Sequence, residues 1–200
     1  VINSKEDYLF YLAADRIALR ARFPHPRLFN DEIWKFQRRL RQVEFFENCR
    51  KYRLNPISYY FARYNLHRLS LQLGFTIPCN VFGPGLSIAH RGTIVVSPSA
   101  KVGENCRILQ GVTIGIARKG DIAPSIGNNV FIGPGAVILG AVTIADGIAI
   151  GANSYVDKSF TEPNITLAGC PARKISNKSS EDLWLRATDI LRGNTKQISC

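Results

Sequence analysis

A six-residue spacing governs the second half of the chain and excludes most ways of folding it. Ile126, Ile132, Ile138, Ile144, Ile150 and Val156 stand six apart, and Val102, Ile108 and Ile114 keep the same interval upstream. Four residues on from such positions come Cys106, Val112, Val130, Ala136, Val142, Ile148 and Ser154, all small or aliphatic, and glycine follows directly at Gly103, Gly115, Gly127, Gly133 and Gly151. A surface helix repeats its apolar positions every 3.6 residues and a half-buried strand every two, so a period of six fits neither. It describes one short strand plus a turn. Stacked repeats of fixed length make a solenoid; three such units close a triangular coil whose aliphatic side chains line the axis in columns. The glycines, with Asn128, Asn129 and Asn153, are expected at tight corners that need positive φ.

The spacing reaches back through Phe82, Leu86, Ile88 and Ile94. The step from Ile94 to Val102 is eight residues, which puts an insertion at that corner. Between Ile114 and Ile126 the sixth residue is Gly120 instead of an aliphatic one, and Ala117 to Asp121 reads as a loop leaving the prism. Excursions of this kind from a regular stack are usually functional or interfacial.

Ahead of the repeats the pattern is helical. Ser4 and Asp7 make a capping signature for a helix running to Arg20, and Asn30 and Asp31 open a second running toward Asn48. Ile33, Phe36, Leu40 and Val43 mark its buried stripe. Asn55-Pro56 opens a third helix that Gly74 ends. After the repeats, Ser180-Glu181-Asp182 starts a last helix with Leu183, Trp184, Ala187, Ile190 and Leu191, expected to cover the open end of the stack or to pack on a neighbour. The chain thus divides into an α-helical N-terminal domain over 1–75, a parallel β-helix over 76–175, and a C-terminal helix and tail over 176–200.

The formal charge of +11 raises the question of nucleic acid, and its distribution argues against it. Residues 1–73 hold 14 Lys and Arg against 7 acids, the repeats over 74–175 hold 8 against 5, and residues 176–200 hold 4 against 3. The excess falls on helices that also carry Trp34, Phe36, Phe45 and Phe46, where it reads as solvated helix face, and attraction for an anionic ligand is the more economical use of it. Cys49, Cys79, Cys106, Cys170 and Cys200 are too scattered for a metal site or a redox pair, and Cys79 and Cys106 read as small fillers. No metal is expected. No apolar run is long enough to cross a bilayer and the first residues lack a leader pattern, which gives the expectation of a cytoplasmic protein.

Gly85-Leu86-Ser87-Ile88-Ala89-His90-Arg91-Gly92-Thr93-Ile94-Val95-Val96, then Ile108-Leu109-Gln110-Gly111-Val112-Thr113-Ile114-Gly115, and finally Ala168-Gly169-Cys170-Pro171-Ala172-Arg173 closely resemble serine acetyltransferase, within the hexapeptide-repeat acyltransferases. In the helical part the best stretch is Ala14-Asp15-Arg16-Ile17-Ala18. The resemblance implies a left-handed coil, acetyl-CoA as co-substrate, and a homotrimer with active sites between subunits. His90 takes the place of the catalytic base. Independently of the family, Ile88 points inward in its hexad, so His90 two residues on faces out, and neither His25 nor His67 sits in a comparable repeat. An imidazole suits the abstraction of a hydroxyl proton as the oxygen attacks a thioester. Backbone N–H groups such as that of Gly115 are candidate oxyanion donors. For coenzyme A the resemblance implies a groove lined by Gly115, Ile116, Gly133, Pro134 and Ala152, with Arg173 and Lys174 at the nucleotide end.

The residues that recognise serine in that family are replaced. The acid that orients the histidine falls at Phe75, the acid preceding it at Ala89, the Arg-His pair of the active-site loop at Ile122 and Ala123, and the acid of the helical part at Phe23. A zwitterion needs those charges in a desolvated cleft. A neutral, apolar-lined pocket is therefore expected, with a saccharide hydroxyl ahead of serine as acceptor and Asp121, Glu104 or a backbone carbonyl as what orients His90. A trimeric scaffold without activity and a basic nucleic-acid binder are the readings against which an acetyltransferase is weighed.

Overall fold

The computed structural model describes residues 1–49, 56–118 and 122–193. Three helices come first: α1 (Lys5–Ala18), α2 (Glu32–Asn48) and α3 (Pro56–Leu73). Ser4 caps α1 by accepting the N–H of Asp7 at 3.0 Å. Asp31 precedes α2 in a left-handed conformation and makes no cap bond, because its carboxylate accepts from Arg27. Gly74, at φ +76°, ends α3.

Short parallel strands then wind round three faces. The first face holds β1 (Phe75–Thr76), β3 (Ile94–Val96), β6 (Thr113–Gly115), β9 (Val137–Leu139) and β12 (Tyr155–Val156). The second holds β4 (Lys101–Val102), β7 (Ser125–Ile126) and β10 (Thr143–Ile144). The third runs β2 (Ser87–Ile88), β5 (Arg107–Ile108), β8 (Phe131–Ile132), β11 (Ala149–Ile150) and β13 (Thr166–Gly169), and ends on antiparallel β14 (Ala172–Ser176). The chain passes from third face to first to second and back. The hexad residues are buried on the axis: Ile108, Ile114, Ile132, Ile138, Ile150 and Val156 are all 0% exposed. Each such side chain withdrawn from water contributes about 1.5–3 kcal/mol. Cys106 takes its place in this core, and burial pushes its thiol up to about 12, so it packs as an inert filler.

The register moves the corner insertion. Val96 pairs with Ile114, as Ile88 pairs with Ile108, so the axial residues are Ile88, Val96 and Val102. The eight-residue step lies between Ile88 and Val96, not between Ile94 and Val102 as the spacing alone suggested. Ile94 misled because it is also buried, against Phe75 of the preceding strand. The corner glycines are corrected as well. Positive φ falls on Asn105, Asn129, Asn153 and Asn164 and on other glycines, whereas Gly133 is required by contact: a Cβ there would meet Ile150 O and Ala152 N of the next coil at 2.8 Å. Asn128 instead uses its side chain, accepting the Glu104 N–H at 2.9 Å.

The helices close the first coil. Phe36, Leu40, Leu69 and Leu73 share one apolar core with Phe75, Ile88 and the axial columns. Polar side chains of α1 and α2 complete the unpaired edge of that coil. Asp15, wholly buried, accepts the N–H groups of Gly85 and Leu86 at 2.9 Å each, and Gln37 donates to Leu86 O at 2.8 Å and accepts from the Ile88 N–H at 3.4 Å. Arg41 ties these together: it pairs with Asp15 at 2.8 Å and Glu44 at 3.0 Å and donates to Phe82 O and Gly83 O. Burial opposes its charge, but the two carboxylates outweigh burial and hold the guanidinium protonated.

The C-terminal segment differs from the single helix expected. A 3-10 turn (Ser180–Asp182) and a five-residue α4 (Ala187–Leu191) are separated by the four residues Leu183 to Arg186, and both run back along the corner between second and third faces. Asn105 takes positive φ there, and its side-chain amide exchanges bonds with Thr188. Ala187 packs on Ala14 and Ala18 of α1. The segment therefore joins the stack to the first helix and leaves the far end to the β13–β14 hairpin.

Arg41→Met is expected to strand Asp15 and Glu44 as unpaired buried charges and to lower unfolding stability by about 3–5 kcal/mol in urea titration. A loss under about 1 kcal/mol would show that the network does not hold the first coil.

Candidate active site

His90 sits on the enlarged corner between third and first faces, and its side chain is exposed. The residues around it are fixed. Ala89 N–H bonds Ile108 O at 3.0 Å, Gly92 N–H bonds Leu73 O at 3.1 Å, and Arg91 pairs with Glu32 of α2 at 3.0 Å. Two residues more than a regular hexad lift His90 off the prism at a point stapled on both sides.

Of the proposed orienting groups, Glu104 does not reach it. Glu104 lies on the corner between second and third faces, where both its oxygens accept from Arg192 at 2.8 Å, and that pairing lowers its pKa. Asp121 falls outside the described residues. Phe75, where an acid would stand in the resembling family, is buried edge-on against Phe36 at 5.1 Å. A carboxylate there would be desolvated among apolar rings. Ile122 is exposed and Ala123 buried.

A cleft of about 360 Å³ opens beside this corner, lined by the end of α1 and its following loop (Leu19 to Phe23, Arg27, Asp31), by Ile33 and Trp34 of α2, and by Ile88 and Ala89. Phe23 and Ala89, far apart in sequence and both at acid positions of the resembling family, thus line one cavity. The expectation of a neutral cleft is corrected: it is walled by Arg20, Arg22 and Arg27 with Asp31 as its acid. The sequence signal is the run Arg20-Ala21-Arg22 just past α1, whose arginines are exposed as a solvated basic face would be. Its backbone turns at Arg20, φ 52°, and carries the arginines round to the His90 side.

The cofactor candidates fall on two corners. Gly133, Pro134 and Ala152 lie below His90 on the corner between third and first faces. Gly151 on that edge meets Ala168, whose partner across the terminal hairpin is Arg173. From β2 to β13 the third face takes four strand spacings, roughly 19 Å at about 4.8 Å each. Gly115 and Ile116 stand across the first face, on its corner with the second. Arg173 and Lys174 are exposed, and Lys174 pairs with Glu162 at 2.5 Å. Gln110, which sequence reading did not single out, lies next to Gly92 on the His90 edge, its Oε1 buried without a partner. Trp34 Nε1 is also buried and unpartnered.

A three-sided parallel solenoid of hexads with a histidine raised on its first complete corner defines a class, and comparison with known proteins places the chain within it. Residues 123–158 match the family described as Bacterial transferase hexapeptide (six repeats). Serine acetyltransferase 3, mitochondrial, of Arabidopsis thaliana is 39% identical over 119 residues, 58% of this chain and 30% of that protein. The crystal structure of serine acetyltransferase in complex with coenzyme A from Brucella abortus strain S19 superimposes with TM-score 0.67 at 31% identity, over 88% of this chain and 70% of that one. That of Neisseria gonorrhoeae serine acetyltransferase in complex with serine gives TM-score 0.66 at 28% identity, over 86% and 71%. The chain belongs to the serine acetyltransferase family of hexapeptide-repeat acyltransferases. It is matched over only about a third of the length of the curated relatives, 30% for the plant protein.

Asp31 anchors the cleft's loop. Hydrogen bonds from the Arg27 side chain and backbone hold its carboxyl at about 2. A carboxylate with a lowered folded pKa adds stability above its unfolded value, near 4, and loses it as pH falls through the folded one. NMR titration of the Asp31 carboxyl should therefore show it still ionised at pH 3; a midpoint near 4 would mean that the Arg27 bond does not persist.

Proposed function

We propose that the chain is an acetyl-CoA-dependent O-acetyltransferase in which His90 is the general base. What carries the reading is one edge of the prism: an exposed histidine on a stapled corner, then Gly133, Pro134 and Ala152 beneath it, then Arg173 on β14, five strand spacings or roughly 24 Å from β2 at about 4.8 Å each. That span suits an extended pantetheine arm with its phosphates at Arg173. Lys174 contributes there once released from Glu162. The solved relative bound to coenzyme A supports the same co-substrate.

In the reaction, the His90 imidazole takes the proton of an acceptor hydroxyl while that oxygen bonds to the acetyl carbonyl carbon. The C–S bond then breaks, and the coenzyme A thiolate leaves with the proton returned by His90. No covalent enzyme intermediate is required. Backbone N–H groups at the opposite corner, Gly115 foremost, stabilise the tetrahedral oxyanion, each good donor lowering the barrier by about 3 kcal/mol in other enzymes.

Gly115 and Ile116 belong to this site only if a second copy brings its first-to-second corner against the His90 corner. Exposed Val95 and Ile116 on the first face suit such a contact, so the active assembly is a homotrimer of left-handed coils with sites between subunits. Among the described residues no helix is long and apolar enough to cross a membrane. The relatives named above are serine acetyltransferases, and serine is the acceptor they favour; they lend a saccharide no support.

His90→Ala should lower release of thiol from acetyl-CoA by about 100-fold or more, with calorimetric binding of coenzyme A retained. Unchanged turnover removes His90 from the mechanism. Absence of coenzyme A binding in the unaltered protein turns the reading toward a scaffold.

A further inference from the structure

The cleft beside His90 carries a charge that acetyl transfer does not itself require. Arg20, Arg22 and Arg27 line it, and Asp31, its one acid, is already engaged by the backbone N–H, Nε and Nη2 of Arg27 at 2.9–3.0 Å. Arg20 and Arg22 take part in no ion pair among the described residues. Arg20 packs over Trp184 at 4.8 Å, and Arg22 over Phe23 at 5.3 Å. Behind them Arg107, with no carboxylate partner among the described residues, is brought down to about 10 by burial and by the charge of Arg20. The region is electropositive beyond what its own acids neutralise.

Trp34 supplies a separate observation. It lines the same cleft and is 3% exposed, yet its indole N–H has no acceptor. Buried donors in folded proteins are nearly always paired. The Nε1 atom is shut off from solvent, so a ligand carboxylate in the cleft meets the exposed guanidinium groups first and satisfies the indole N–H only when the Trp34 side chain turns toward the cleft.

An ammonium finds the opposite environment. Phe23 and Ala89 offer it no charge, and Asp31 is spent on Arg27. A zwitterion would gain at its carboxylate and lose at its amine.

We infer that the acceptor is a hydroxy-carboxylate, a hydroxyl compound bearing an acid group and no ammonium, held by its anion among Arg20, Arg22 and Trp34 with its hydroxyl toward His90. This deepens and rests on the acetyltransferase reading. Its physical basis is the unbalanced cleft charge together with an unsatisfied donor in the same wall.

The test is thiol release from acetyl-CoA by the full chain with matched acceptors: 3-hydroxypropanoate against L-serine, from which it differs by the ammonium; glycerate against glycerol; glucuronate against glucose. The expected result is kcat/KM at least about tenfold higher for the acid in each pair that is turned over, with the advantage shrinking as salt is raised. Arg22→Gln, at an exposed position that does not threaten folding, should narrow the ratio to within about threefold. Equal or better use of serine, glycerol or glucose overturns the inference while the enzyme reading stands. So does binding of acetyl-CoA by calorimetry without transfer to any of the acids. Failure to bind acetyl-CoA at all removes both.

Discussion

A stack of parallel coils must end, and its terminal coil presents N–H and C=O groups that no further strand pairs. In this chain the first coil is finished by side chains. Asp15 and Gln37 meet the backbone of Gly85, Leu86 and Ile88, and Arg41 takes the carbonyls of Phe82 and Gly83. Because the ionic members of this network are buried, its parts stand or fall together: removing one charge leaves the others desolvated and unpaired. The first coil is therefore rigid where it would otherwise fray.

That rigidity matters because the histidine corner follows directly. Two residues past Ile88 the chain leaves the regular hexad, and the enlarged corner would be a loose loop without the anchors at Leu73, Glu32 and Ile108. The helical layer thus does two things with one set of contacts. It terminates the stack and supplies the wall of the cleft beside His90, from Leu19 through Trp34. The place where the acids of the resembling family are replaced, Phe23 and Ala89, is the place where arginines and an unpaired indole N–H gather. The solenoid scaffold is kept, while the wall beside the histidine corner carries a different set of charges.

Much of this was legible in the residues. The hexad columns give the solenoid directly, since no other fold buries aliphatic side chains at that period, and an inward Ile88 makes His90 face out. The capping pattern at Ser4 and the Gly74 terminus set helix limits to within a residue or two. What sequence could not show depends on registry and on distance. Ile94 and Val96 are both buried, so only strand pairing locates the two extra residues beside His90. The last segment has the composition of a helix, but Asn105, Asn129 and Gly147 bind it to a corner of the prism, and those bonds break it in two. Asp15 and Arg41 are ordinary charges in a helical pattern until a coil more than forty residues away buries them. The arginines past α1 are exposed, and only the turn at Arg20 shows that they border the cleft.

The central claim is that one prism edge carries the thioester from Arg173 to His90. A crystal structure of the protein with coenzyme A bound tests it most directly. The account requires the nucleotide at the Arg173 end, the pantetheine arm along Ala152, Pro134 and Gly133, and the sulfur beside the His90 ring, with a neighbouring copy's Gly115 closing the site. Coenzyme A on another face, or a sulfur far from His90, would contradict it.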